Sequence, residues 1–164
     1  MTPVNTDPLE GAAVRLPLIT RDEAALMIAG NRLDWFAEGY PRQDDIDAAK
    51  MTDAGAWSPR HVVRRADGLA VGSIGFFGPP DENGQVEVGY GLVESARRQG
   101  LISDALTAVI AAAEAAGAHV VAHTTDDNVA SQATLAKFGF ARQDHINDEG
   151  ERLYVRPRIP TVIE

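Results

Sequence analysis

The chain has no cysteine. A disulfide framework, a thiolate nucleophile and any thiolate-ligated metal site are therefore excluded. It also lacks a run of about 18 apolar residues, the length a membrane-crossing helix needs. Residues Met1 to Glu10 are mostly polar and carry Pro3 and Pro8 where a secretory signal would have an apolar core. Neither membrane insertion nor export is expected, and a cytoplasmic location is. Positive charge is scarce, since 15 Lys and Arg face 24 Asp and Glu for a net charge of −9. Such a surface does not displace counterions from a nucleic-acid backbone, so nucleic acid is not expected as a partner, whereas a cationic acceptor is compatible. The acidity is equally compatible with a plain solubility role. His61, His119, His123 and His145 show no ligand spacing within one element; they read as structural, and no metal is expected. No internal repeat is present.

What the chain does have is apolar content of 45% over 164 residues, enough for one domain with a buried core. Residues 1–12 read as a flexible leader and 13–164 as a single domain. A strand is expected over Ala13 to Ile19, then a helix through Ala29 opened by a Thr20–Glu23 capping box. An irregular stretch from Gly30 to Pro59 follows, with a short helix near Asp44 to Met51. Trp35, Phe36, Tyr40 and Trp57 lie in it. The first three are candidate liners of an acceptor pocket, and closing the core is the competing reading.

Arg60 to Arg65 and Leu69 to Phe77 form a hairpin around Asp67-Gly68, and Gln85 to Val93 is the next strand. A helix follows in which Ile102, Ala105, Leu106, Val109, Ile110 and Ala113 make one apolar stripe before Gly117. A buried strand over Ala118 to Thr124 precedes a helix capped by Asp127 or Asn128 and stopped by Gly139. Two strands, Phe140 to His145 and Arg152 to Arg156, close the chain. Short hairpins give antiparallel neighbours and the helical crossover a parallel one, so the expected class is α/β with a mixed sheet of about six to seven strands flanked by helices.

The stretch from Tyr90 to Leu106 is the most informative, because a strand passes through a basic, Gly-containing turn straight into an amphipathic helix. The free N–H groups and dipole of a helix start hold anionic phosphate. Arg97 and Arg98 add charge, and Gly100 permits close approach to the main chain.

The segment Glu87-Val-Gly-Tyr-Gly-Leu-Val, then Arg97-Arg-Gln-Gly100-Leu-Ile102, then Asn128-Val-Ala-Ser131 and Lys137-Phe-Gly139-Phe140, resembles the GNAT superfamily of acetyl-CoA-dependent N-acetyltransferases. The resemblance is to its Rim-type branch, the ribosomal-protein N-terminal acetyltransferases and their small-molecule relatives. It covers residues 85–142 well and is weak before residue 60. The resemblance implies a GNAT-like fold and acetyl-CoA as cofactor. Its pyrophosphate would meet the main-chain amides of Arg97, Arg98, Gln99, Gly100, Leu101, Ile102 and Ser103, and its pantetheine arm the backbone of Leu92 and Val93. It also implies that Asn128 contacts the cofactor, that Ser131 is a cofactor and catalytic position, and that Glu87 is the base. A solvated strand residue is the competing reading of Glu87. Relatives are often dimers, so a homodimer is implied as well. The chain departs from the family at Ile102, where a small residue is usual, and at Leu135, where many members carry a tyrosine that protonates the leaving thiolate.

The function so implied is direct acetyl transfer to the primary amine of a small molecule or a protein N-terminus, with the sheet splayed beside Val93. The competing class is an acyl-CoA-binding module without turnover, for which Ile102 and Leu135 speak. Nothing in Gly30 to Pro59 names the acceptor.

Overall fold

The computed structural model describes residues 6–157. One mixed sheet of eight strands runs through it in the order β1-β2-β3-β4-β5-β6-β8-β7. The strands are β1 Leu9–Glu10, β2 Val14–Leu16, β3 Arg60–Arg64, β4 Leu69–Phe76, β5 Gln85–Leu92, β6 His119–Thr125, β7 Ala141–Ile146 and β8 Glu151–Val155. Four helices accompany them: α1 Arg21–Ile28, α2 Gln43–Ala49, α3 Leu101–Ala115 and α4 Val129–Lys137. Among the strands of the described residues only β5 and β6 are parallel neighbours, as α3 carries the chain between them.

Local chemistry sets most boundaries. Thr20 accepts from the Glu23 N–H at 3.1 Å while the Glu23 carboxylate accepts from the Thr20 N–H at 3.0 Å, which completes the capping box of α1. The β3–β4 hairpin turns at Gly68, whose φ of +73° suits glycine, and Asp67 anchors the turn to the Leu69 N–H and the Arg64 guanidinium. Helix α3 buries Leu101, Ala105, Leu106, Val109, Ile110 and Ala113. It packs across β1, β2, β4, β5 and β6.

Two expectations change here. The sheet has eight strands rather than six or seven, because Leu9–Glu10 pairs antiparallel with Arg15 and Leu16. Residues 9–12, read as leader, are thus held in place. The Asp104 carboxylate in the first turn of α3 accepts from the N–H groups of Ala12, Ala13 and Val14 at 3.1, 2.8 and 3.1 Å. A two-residue strand has no alternation to recognise, and its staple lies some ninety residues away. Residues 1–5 of the expected leader and 158–164 of the expected domain lie outside the described residues.

Strand alternation puts Ser73, Gly75, Glu87, Gly89 and Gly91 on one face of β4 and β5 and Tyr90 on the other. Helix α2 lies on the first face: Ser73 bonds to Asp45, and the Arg42 guanidinium sits where a Gly91 side chain would be. Helix α4 meets Tyr90 on the second.

Candidate active site

The two halves of the sheet part company midway along β5. β5 and β6 pair only over Gln85–Glu87 and His119–Val121. Beyond that fork, Val88–Leu92 stays with β4 and Ala122–Thr125 stays with β8. A cleft of about 820 Å³ opens between them, bordered by both strands, by α2, by α4 and by the β7–β8 hairpin.

At the open end of the fork the chain leaves β5 with the Val93 N–H donating to the Val71 carbonyl at 2.8 Å. A short 3-10 turn, Glu94–Ala96, follows. Arg98 and Gly100 then take left-handed φ values of +64° and +75°. The first helical bond runs from the Asp104 N–H to the Gly100 carbonyl. Among the described residues nothing accepts from the N–H groups of Arg98 through Ser103. This row of bare amides at the positive end of α3, in a backbone bent by left-handed residues, is an anion cradle. Nothing lies within 4 Å of a Cβ placed on Gly100. The exposed Arg97 and Arg98 flank the cradle, and Lys137 reaches in from the end of α4, its Nζ 3.4 Å from Ser103 Oγ.

The side chains within this loop divide the work. Arg97 Nε donates back to the Leu92 carbonyl at 3.2 Å, so it braces the strand end. Gln99 contributes only its main chain, because its side chain is held by Arg64 at 3.2 Å and by the Ser95 carbonyl. Leu101 is buried, and Ile102 packs half-buried against the core. The β-branch at Ile102 is thereby absorbed by the apolar stripe.

On the α4 side of the cleft, the exposed Asn128 caps the helix by accepting from the Ser131 N–H at 3.1 Å. Ser131 sits one turn before Leu135, and all three border the cleft. Leu135 is fully buried and offers no proton. Tyr90, which sequence reasoning passed over as a strand residue, spans the fork: its Oη lies 2.9 Å from Ser131 Oγ. Burial pushes the Tyr90 phenol pKa upward, and the bond to Ser131 opposes this more weakly.

On the α2 face Glu87 borders the cleft with Oε2 3.1 Å from His123 Nδ1. The contact is close in distance, but its angle is not that of a hydrogen bond, and Nδ1 is buried without a partner among the described residues. His123 was expected to be structural; instead it faces the cleft. Pairing of Glu87 with Val121 in the parallel register puts His123, two residues on, beside it. The mouth on this face is made by Arg42, Asp44, Asp47, Met51, Phe77 and Glu149. Arg42 is fixed by the buried Asp45, which accepts from its N–H at 2.8 Å, Nε at 3.0 Å and Nη2 at 2.9 Å, and which also accepts from Ser73 Oγ.

The proposed acceptor aromatics are not brought to the cleft. Phe36 and Tyr40 are buried, and Trp35 packs edge-on against Phe36 and His61. Tyr40 Oη meets His61 Nδ1 at 2.7 Å, and His61 Nε2 meets the Glu23 carboxylate at 3.0 Å. Burial sends the Tyr40 pKa well up, while the bond from His61 pulls the Glu23 pKa down. The aromatics close the core, and the mouth of the cleft is furnished by α2 and the last hairpin. Among the described residues no group of His, Asp and Glu could hold a metal ion, and no helix is long and apolar enough to cross a membrane.

Known proteins show the same architecture. The chain is similar to RimJ of Mycobacterium smegmatis, solved in complex with CoA-disulfide, at 18% identity and a TM-score of 0.68 over 94% of this chain and 89% of that one. It is similar to an acetyltransferase from Agrobacterium tumefaciens at 17% identity and 0.66, over 96% and 98%. RimL, a ribosomal L7/L12 α-N-protein acetyltransferase, superimposes at 0.63 with 17% identity, over 92% and 93%. These likenesses are of fold. In sequence, 81 residues are 37% identical to an uncharacterized N-acetyltransferase of Bacillus subtilis, YjdG, over 48% of each chain, so the match spans about half the length of that curated relative. The family model described as an acetyltransferase (GNAT) domain matches residues 16–141. That span runs from β2 to the start of β7 and takes in the fork, the amide cradle and α4: the chain belongs to the GNAT acetyltransferase family.

Proposed function

We propose that this protein transfers an acetyl group from acetyl-CoA directly to a primary amine, carried by a small molecule or a protein N-terminus. The observation that carries the reading is the pairing of a forked sheet with the bare amides from Arg98 to Ser103 at its open end. A diphosphate fits that cradle, and the stretch of β5 beyond the fork suits an amide-bearing arm that pairs as an added strand. The Mycobacterium smegmatis relative solved with CoA-disulfide supports this use of the cleft.

Acetyl-CoA supplies an activated thioester carbonyl. The backbone from Val88 to Val93 holds its arm, Asn128 and Ser131 border it from α4, and Arg98 and Lys137 meet its phosphates. Glu87, with His123 beside it, takes the proton that the amine must lose as the C–N bond forms and the C–S bond breaks. Holding two reactants in line contributes on the order of 7–11 kcal/mol, against a factor of about 10² to 10⁴ from one proton acceptor, so orientation dominates. Asp44, Asp47 and Glu149 at the mouth favour a cationic acceptor, and the exposed faces of Phe77 and Met51 favour one with apolar parts. A thioester-consumption assay over a panel of amines, read by mass spectrometry, tests the proposal. Acetylated product supports it, and binding of coenzyme A without turnover of any amine replaces it with the acyl-CoA-binding module.

A further inference from the structure

Helix α4 presents only Asn128, Ser131 and Leu135 to the cleft. Asn128 is engaged through Oδ1 as a helix cap, and Leu135 is apolar and fully buried, so Ser131 carries the one hydroxyl this helix brings to the cleft. A serine hydroxyl has a single proton and rotates. Where that proton points depends on what else the oxygen contacts.

Tyr90 Oη lies 2.9 Å from this oxygen, reaching it across the fork from β5. Two arrangements satisfy the pair. If serine donates to the phenol, its proton is lost to the cleft. If the phenol donates, Ser131 Oγ is polarised and its own O–H is turned toward the cleft. A phenol is the stronger donor of the two and an aliphatic hydroxyl the better acceptor, which favours the second. Burial, which keeps the Tyr90 phenol protonated, favours it too.

We infer that Tyr90 is a positioning residue for acetyl transfer, donating to Ser131 Oγ so that the Ser131 hydroxyl is aimed at the departing sulfur of coenzyme A. The inference rests on the function proposed above and specifies how this chain manages without a tyrosine at position 135. The electron pair of the breaking C–S bond stays on sulfur, Ser131 donates a hydrogen bond to that thiolate, and the thiolate takes its proton from solvent. Neither hydroxyl changes protonation state. Free coenzyme A, with a thiol pKa of about 8.5, leaves as thiolate without an acid, so a hydrogen-bond donor is all the site must supply. The nearby ionisable groups Glu87 and His123 lie on the opposite face of the sheet.

The test uses the full chain and the variants Y90F, S131A and the double variant. Coenzyme A titrated at about pH 8, near the free thiol's pKa, reports the ionised fraction of the bound thiol by its thiolate absorbance. Y90F removes one neutral hydrogen bond, so the bound thiolate-to-thiol ratio and kcat each fall roughly tenfold. KM for acetyl-CoA and the melting temperature stay near wild type. S131A falls at least as far, and the double variant falls no further than S131A. A Y90F protein with wild-type thiolate ratio and kcat overturns the inference, as does additivity of the two substitutions. If the wild-type protein binds no coenzyme A, the function proposed above fails with it; wild-type turnover with an indifferent Y90F sinks this inference alone.

Discussion

Gly100→Val separates the amide cradle from the rest of the fold. Gly100 is the N-cap of α3 at φ +75°, and nothing lies within 4 Å of an added Cβ, so the substitution begins in open space. Its cost to folding is the left-handed backbone alone, about 1–2 kcal/mol, or a melting temperature lower by about 2–8 °C for a domain of this size. Its cost to binding is separate, because the new methyl groups stand beside the free N–H groups where a phosphate oxygen must come. Losing one charge-assisted bond to an amide removes about 1.5–3 kcal/mol, which weakens the dissociation constant for coenzyme A roughly ten- to a hundredfold. Gly30 supplies the control, since it has φ +85° and equally open surroundings at the end of α1. Calorimetric titration of coenzyme A into both variants checks the reasoning. Gly30→Val should lose similar stability and keep wild-type affinity. If Gly100→Val binds coenzyme A as tightly as Gly30→Val, the phosphates are held elsewhere.

Three further outcomes are expected. Glu87→Gln lowers kcat/KM most at low pH, where the acceptor amine is protonated, and leaves affinity for coenzyme A unchanged; an unaltered pH profile removes Glu87 from the mechanism. Asp45→Ala strips the buried carboxylate from Arg42 and Ser73 and should cost about 3–5 kcal/mol in a urea melt, the usual result of breaking a buried ion pair from one side. A loss under 1 kcal/mol would show that Arg42 finds solvent instead. The hydrogen bond from His61 holds the Glu23 pKa below its ordinary 4.5 in the folded state. The unfolded chain therefore takes up that proton first as pH falls, so the stabilisation is complete above about pH 4.5 and is lost through the depressed folded-state value. Glu23→Gln should flatten that part of the stability–pH curve, and an unchanged slope would assign it to other carboxylates.

Much of the architecture was legible because its signals are local. The Thr20–Glu23 box, the Asp67-Gly68 turn, the stripe from Ile102 to Ala113 and the Asn128 cap each declare an element within a few residues. The candidate phosphate-binding run from Arg97 to Ser103 stands out in the sequence for the same reason, being contiguous. What escaped depends on register between distant strands. Whether β5 and β6 pair for three residues or seven is invisible in either strand alone, yet it decides where the cleft opens. His123 faces Glu87 only because Glu87 pairs with Val121, and Tyr90 reaches Ser131 only because the fork leaves room. The misassigned aromatics carry a similar lesson. Trp35, Phe36 and Tyr40 sit in an irregular stretch, but their apolar surface outweighs the loop's exposure, and the hydroxyl of Tyr40 is satisfied internally by His61.

The most direct measurement follows the backbone amides of ¹⁵N-labelled protein by NMR as coenzyme A is added. The resonances of Arg98 to Ser103 should move together and saturate with one ligand per chain, followed by those of β5 from Val88 to Val93. Saturable shifts confined to other parts of the sheet, or a spectrum that coenzyme A leaves unchanged, would contradict the assignment of the fork and its amide cradle as the cofactor site.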